Sequence, residues 1–189
     1  MFLITVTSAI LWLAPYIDKP TAKEYAHIIV EHSGKRSVNP YLVVATIHRE
    51  SRFVRTRVSR RNYGLMQVRV SRTTNPDLIG QEWLLLLPEK NIATGIEMLA
   101  YWKRYHRRQC KDDSHPWWSH YQWGNRVRGV GSGRRVGRIY RILAKKFGSK
   151  PSIKLITNRK RRLGINVKPT TNRTTAGIGV SIRDRRLKR

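Results

Sequence analysis

The sequence predicts a mostly α-helical domain followed by a disordered basic C-terminal tail. Three observations carry this. Apolar residues recur at helical spacing in several segments, helix start and stop signals bracket those segments, and the composition changes abruptly after Gly148.

The first bracketed segment opens at Thr21. Thr21 and Glu24 have the T-x-x-E spacing of a capping box, which makes Thr21 the expected N-cap. Ala22, Tyr25, Ala26, Ile29 and Val30 follow at helical spacing, and Gly34 is the expected stop. Asn39 and Pro40 then supply a cap and a first helical residue. The helix they start runs through Leu42, Val43, Val44, Ala45 and Ile47 to Glu50; being apolar on most sides, it is expected to be the central buried helix.

Residues 54–75 are rich in Arg, Ser and Thr, which predicts a loop punctuated by Gly64, with room for a short hairpin. Asn75 and Pro76 open a short helix ending near Gly80. Pro88 opens a long one to about Arg108, with Ile92, Ile96, Leu99 and the stem of Lys103 on one stripe. A further helix is expected over residues 116–123, then a glycine-rich loop over 125–133. The last helix runs from Arg135 to Phe147, closed by Gly148.

Three parts follow: residues 1–18, a domain over 19–148, and a tail over 149–189. Residues 2–17 are mostly apolar. The run is short for a membrane span, which needs about 20 residues. Its length suits a signal-peptide core, yet no Lys or Arg precedes it and Ala14 is followed by Pro15, a poor cleavage junction. Two readings stand: an exported leader or weak anchor, and an N-terminal helix packed on the domain. The tail holds 13 Lys and Arg against one acid, Asp184, with isolated apolar residues. Such a segment buries too little surface to offset its ordering entropy.

Over the 189 residues, 39 Lys and Arg against 11 Asp and Glu give a formal charge of +28. A field of that size concentrates polyanions at the surface. Anionic cell-wall polymers, anionic lipid and nucleic acid all qualify as partners of the tail, because each is drawn by the same charge attraction. With one cysteine, Cys110, no intramolecular disulfide forms. His115 and His120 follow Cys110, but the spacing matches no common zinc pattern and lacks a fourth ligand. Neither a metal nor any other cofactor is expected.

Glu50 closes the central helix in His48-Arg49-Glu50-Ser51-Arg52-Phe53, and the next acid is Asp77. A glycosidase built on two carboxylates would show a second acid near the first. Here one stands alone. The negative end of the helix dipole disfavours an anion at this place. Ile47, Phe53, Leu65 and Met66 offer an apolar wall, and desolvation also favours the protonated acid. Arg49 and Arg52 oppose this if they face the carboxylate. The competing reading is a solvated helix-end residue paired with an arginine.

Glu50-Ser51-x-Phe53 followed by Gly64-Leu65-Met66-Gln67 resembles the first two signatures of the soluble lytic transglycosylase family. Asn91-Ile92-x-x-Gly95 with Leu99 is similar to the family's N-I-x-x-G helix. His120-Tyr121-Gln122-Trp123-Gly124 resembles its A-Y-N-x-G signature, and Tyr140 falls where the family places a tyrosine in its closing helix. The resemblance covers residues 21–147. Gln122 replaces the family asparagine and adds a methylene, and the loop after Gly124 is rich in Arg and Gly.

The resemblance implies a lysozyme-like helical domain with a substrate cleft, and cleavage of the bond between N-acetylmuramic acid and N-acetylglucosamine in peptidoglycan. In the family a single glutamate protonates the glycosidic oxygen, then serves as base toward the sugar's own 6-hydroxyl, closing a 1,6-anhydro ring. An intramolecular hydroxyl held near the reacting carbon replaces water and its activating base. Carried over, Glu50 is the catalytic acid/base. Ser51 and Tyr121 orient it, Met66 and Gln67 line the cleft, and Gln122 stands in for the asparagine. A goose-type lysozyme-like hydrolase of the same bond is the near alternative. A nucleic-acid-binding protein on an inactive scaffold is the alternative of another class. The resemblance places the protein at the cell envelope or periplasm, acting on glycan strands as a monomer with no obligate protein partner, and is compatible with a phage setting.

Among the tryptophans, Trp83 and Trp102 sit in apolar helical contexts and are expected in the core. Trp117 and Trp118 suit a core edge or a sugar-stacking surface equally. Tyr140 is expected to pack.

Overall fold

The computed structural model describes residues 2–110, 115–127 and 131–148. Six helices form the framework: α1 (Phe2–Leu13), α2 (Lys19–Arg36), α3 (Pro40–Glu50), α4 (Pro88–Gln109), α5 (His120–Trp123) and α6 (Gly131–Phe147). Three two-residue strands, β1 (Val58–Ser59), β2 (Asn62–Tyr63) and β3 (Val68–Arg69), form an antiparallel sheet in sequence order. The register pairs Val58 with Tyr63 and Tyr63 with Val68. The expected basic tail, and residues 128–130 of the expected glycine-rich loop, lie outside the described residues.

Helix α3 is central. Asn39 caps it by accepting from the Tyr41 N–H at 2.9 Å, and Pro40 costs nothing at a position with no intrahelical N–H bond. Every residue from Pro40 to Ile47 is buried, with α1, α2 and α6 packed around it. Helix α1 contributes Val6, Ala9 and Ile10 to the same core, joined by Ala14 just beyond it. No described helix is long and apolar enough to cross a membrane.

The start and end of α2 differ from the sequence expectation. Asp18, not Thr21, is the N-cap: its carboxylate accepts from the Thr21 N–H at 2.8 Å and the Thr21 hydroxyl at 2.7 Å. A carboxylate at a helix N-terminus is further favoured by the dipole. At the other end α2 runs through Gly34 and stops at Ser37, which takes the left-handed conformation at φ 53°. Glycine inside a helix costs about 1 kcal/mol, and the turn beyond it adds backbone bonds and a Lys35–Glu31 pair at 2.6 Å.

The long helix α4 buries Ile92, Ile96 and Leu99 as expected. Lys103 is exposed; its ammonium donates to the Ser37 carbonyl at 2.9 Å. The segment before α4 holds short 3-10 turns at Pro76–Leu78 and Glu82–Leu86. The second turn points Leu85 inward and leaves Trp83 63% exposed, which corrects the expectation of a core tryptophan. A further 3-10 turn, Trp117–Ser119, leads directly into α5.

Candidate active site

Glu50 is the last residue of α3. Immediately after it, Ser51 ends the helix, and Arg52 and Phe53 both take positive φ, 52° and 60°. Two left-handed non-glycine residues in succession are costly. Here the reversal returns Phe53 to the core, and the Tyr16 hydroxyl braces it by donating to the Arg52 carbonyl at 2.7 Å.

The Glu50 side chain lines a narrow cleft walled by α3, the start of α6, and the segment from Trp118 to Gln122. Glu50 is the one acid among the lining residues. Among the described residues, no hydrogen bond or ion pair reaches its carboxylate. Burial raises its pKa above the usual carboxylate range, while the charges of Arg49 and Arg57 pull it back down. Arg49 nonetheless does not pair with it; one guanidinium nitrogen contacts the Ser132 hydroxyl at 3.4 Å. The arrangement is therefore a partly desolvated acid in the field of two cations that do not pair with it, not a surface ion pair.

Tyr121 and Gln122 face Glu50 across the cleft. The Tyr121 hydroxyl donates to the Met66 carbonyl at 2.9 Å. Burial pushes that hydroxyl well above its usual pKa, and the nearby Glu50 charge adds to the effect. Trp118 forms a side wall, its indole N–H donating to the Gly133 carbonyl at 2.8 Å. Close approach of α6 depends on Gly133, since a Cβ there would lie 2.0 Å from the Ser119 hydroxyl oxygen.

Asn91 organises the loop that meets Tyr121. Its side chain is buried and makes three bonds at 2.7 Å: it accepts from the Met66 N–H and donates to the Tyr63 and Leu85 carbonyls. One side chain thus fixes β2, the 3-10 turn and the segment after β2.

Three of the expected site residues are placed as follows. Ser51 is fully buried and its hydroxyl donates to the Ile47 carbonyl at 3.2 Å, which finishes the helix. The Met66 side chain is fully buried against Gly95 of α4, so it packs in the core and does not line the cleft. Gln67, at φ 51°, turns its amide onto the carbonyls of Arg57 at 3.0 Å and Gly64 at 2.9 Å. Tyr140 packs edge-on against Trp118, with centroids 6.2 Å apart.

Residues 27–115 match the family model described as the transglycosylase SLT domain. Over this segment the chain is similar to the transglycosylase SLT domain. The SLT domain is lysozyme-like and mostly helical, and it brings with it lytic-transglycosylase-type cleavage of peptidoglycan, a polymer of the cell envelope. The match includes Glu50, the Gly64–Gln67 segment and Asn91; Tyr121 and Gln122 lie beyond it and join the site through the fold. No curated protein and no solved structure matches the chain.

Along the sequence Cys110, His115 and His120 lack a fourth ligand at metal-site spacing. The structure brings His106 beside them, with the four candidate ligand atoms within 4.8 Å of one another. The available signal was His106-x-x-x-Cys110, one helical turn apart at the end of α4.

Proposed function

We propose that the protein is a lytic transglycosylase that cleaves the bond between N-acetylmuramic acid and N-acetylglucosamine, with Glu50 as both acid and base. The observation that carries this reading is the isolation of the Glu50 carboxylate in the cleft, its pKa raised by burial and its oxygens free of any pairing among the described residues. In the first half-reaction Glu50 gives its proton to the glycosidic oxygen, the C1–O bond breaks, and the N-acetylglucosamine product leaves with that proton. In the second, the muramic 6-hydroxyl bonds to C1 and returns its proton to Glu50. Water is not consumed, and the enzyme ends as it began.

A single group serving both halves needs a pKa near the working pH. Opposed influences act on Glu50 in that sense: desolvation raises its pKa, while Arg49 and Arg57 favour the carboxylate formed midway. Tyr121, tethered to Met66, supports the facing wall, and Gln122 presents an exposed amide to the substrate's acetamido or hydroxyl groups. Trp118 offers part of its indole as a wall against a sugar face.

Digestion of purified peptidoglycan, with the products read by mass spectrometry, tests the reading. Muropeptides ending in 1,6-anhydro rings are expected. Products with reducing ends only would overturn it in favour of hydrolysis.

A further inference from the structure

Outside the residues that line the cleft, four side chains converge on one point. His106 and Cys110 come from the last turn of α4 and its end, His115 precedes the Trp117–Ser119 turn, and His120 opens α5. The fully buried Nε2 of His120 lies 3.1 Å from His106 Nδ1, 3.2 Å from His115 Nε2 and 3.5 Å from Cys110 Sγ. On its other side, His120 Nδ1 is 2.6 Å from the Gly124 carbonyl. A carbonyl only accepts, so Nδ1 carries the proton and the Nε2 of a neutral ring carries a lone pair. One lone pair serves one hydrogen bond well. Three nitrogen or sulfur atoms crowd it.

Those separations have a simple geometric meaning. Ligand atoms at the corners of a tetrahedron around zinc stand about 3.3 Å apart for two nitrogens and about 3.6 Å for nitrogen and sulfur, given metal bonds of ~2.0 to 2.3 Å. The three distances around His120 Nε2 are edges of that size; all four atoms lie within 4.8 Å of one another, so small side-chain rotations of the outer three bring their mutual separations to tetrahedral edges on binding. The Nδ1–H to carbonyl bond is the outer contact that fixes the tautomer of a metal-bound histidine. Trp102 stacks on the His120 ring, with centroids 5.5 Å apart and planes at 14°, so the ring cannot swing away.

We propose that His106, Cys110, His115 and His120 form a structural site for one tetrahedral, borderline-soft divalent cation of the zinc class. One thiolate and three imidazoles offer no oxygen donors, which argues against calcium and magnesium. Four protein ligands close the coordination sphere, so the ion takes no part in chemistry. It clasps the end of α4 to the segment carrying Tyr121 and Gln122. The proposal rests on these side chains and not on the reaction proposed for Glu50.

The test uses the full chain, stripped with a chelator and titrated with zinc, then with cobalt as a spectroscopic stand-in. One equivalent of either ion is expected to bind, and zinc raises the melting temperature. Cobalt gives the visible bands of a tetrahedral ion together with a thiolate-to-cobalt charge-transfer band. Cys110→Ser removes that band, and His106→Ala weakens zinc binding by at least ~10²-fold, since loss of even an outer partner costs about 10- to 100-fold. Cobalt-loaded wild type without a thiolate band, or zinc binding left unchanged by both substitutions, overturns the proposal.

Discussion

The hydroxyl of Tyr121 donates to the main-chain carbonyl of Met66 across 55 residues of sequence, at 2.9 Å. The bond joins the wall facing Glu50 to the segment that Asn91 fixes. Tyr121→Phe leaves the Met66 carbonyl without this donor, in a part-buried position. A loss of about 1 to 3 kcal/mol is expected, read as a lower denaturant midpoint at unchanged slope. Glycan cleavage is expected to fall less than it does on loss of Glu50, because Tyr121 supports the wall and gives no proton.

Asn91 should be among the least replaceable residues outside the cleft. Asn91→Ala strands the Met66 N–H and the Tyr63 and Leu85 carbonyls together. At about 1 kcal/mol or more for each stranded group, a loss of ~4 kcal/mol is expected. Asn91→Asp should do little better, since a carboxylate accepts from Met66 but donates to neither carbonyl. Chemical denaturation of both variants checks this.

Gly95→Ala sets two effects against each other. Alanine gains about 1 kcal/mol of helix propensity in α4. Its Cβ, however, would sit 2.3 Å from Met66 Sδ and 2.9 Å from Met66 Cβ, and the latter cannot rotate away. Overpacking of this kind costs about 1 to 3 kcal/mol, so net destabilisation is expected. A thermal melt at or above the wild-type midpoint would contradict this.

Those positions show what was legible in the sequence and what was not. The Asn39-Pro40 start, the buried run to Ile47 and the isolation of Glu50 along the chain were readable because each depends on neighbours within one helix. Asp18 was missed as a cap because Thr21 and Glu24 imitate one, and the local pattern does not show that Thr21 is instead the donor to Asp18. The three strands carry two residues each, too few for a period of two to show. The burial of the Ser51 and Met66 side chains was not legible, because motif order says which segments meet, not which way a side chain points. His106 escaped because its partners come from beyond α4, through folding and not through spacing.

Glu50 also predicts how stability depends on pH. Its pKa is raised on folding from an ordinary value near 4.5. The folded state therefore binds the proton more tightly than the unfolded chain does, and stability falls as pH rises from that ordinary value through the raised one. Glu50→Gln removes this loss. The variant should melt above wild type by on the order of a few degrees near neutral pH, and the gain should vanish below about pH 4, where both states of wild type are protonated. A gain of equal size at both pH values would show that titration is not its source.

The most direct test compares peptidoglycan solubilisation by wild type and folded Glu50→Gln at matched concentration. Removal of the sole proton donor and acceptor should slow release of anhydro-muropeptides by at least ~10² to 10⁴-fold. A well-folded Glu50→Gln protein that digests the wall within about tenfold of wild type would contradict the assignment of Glu50 as acid and base.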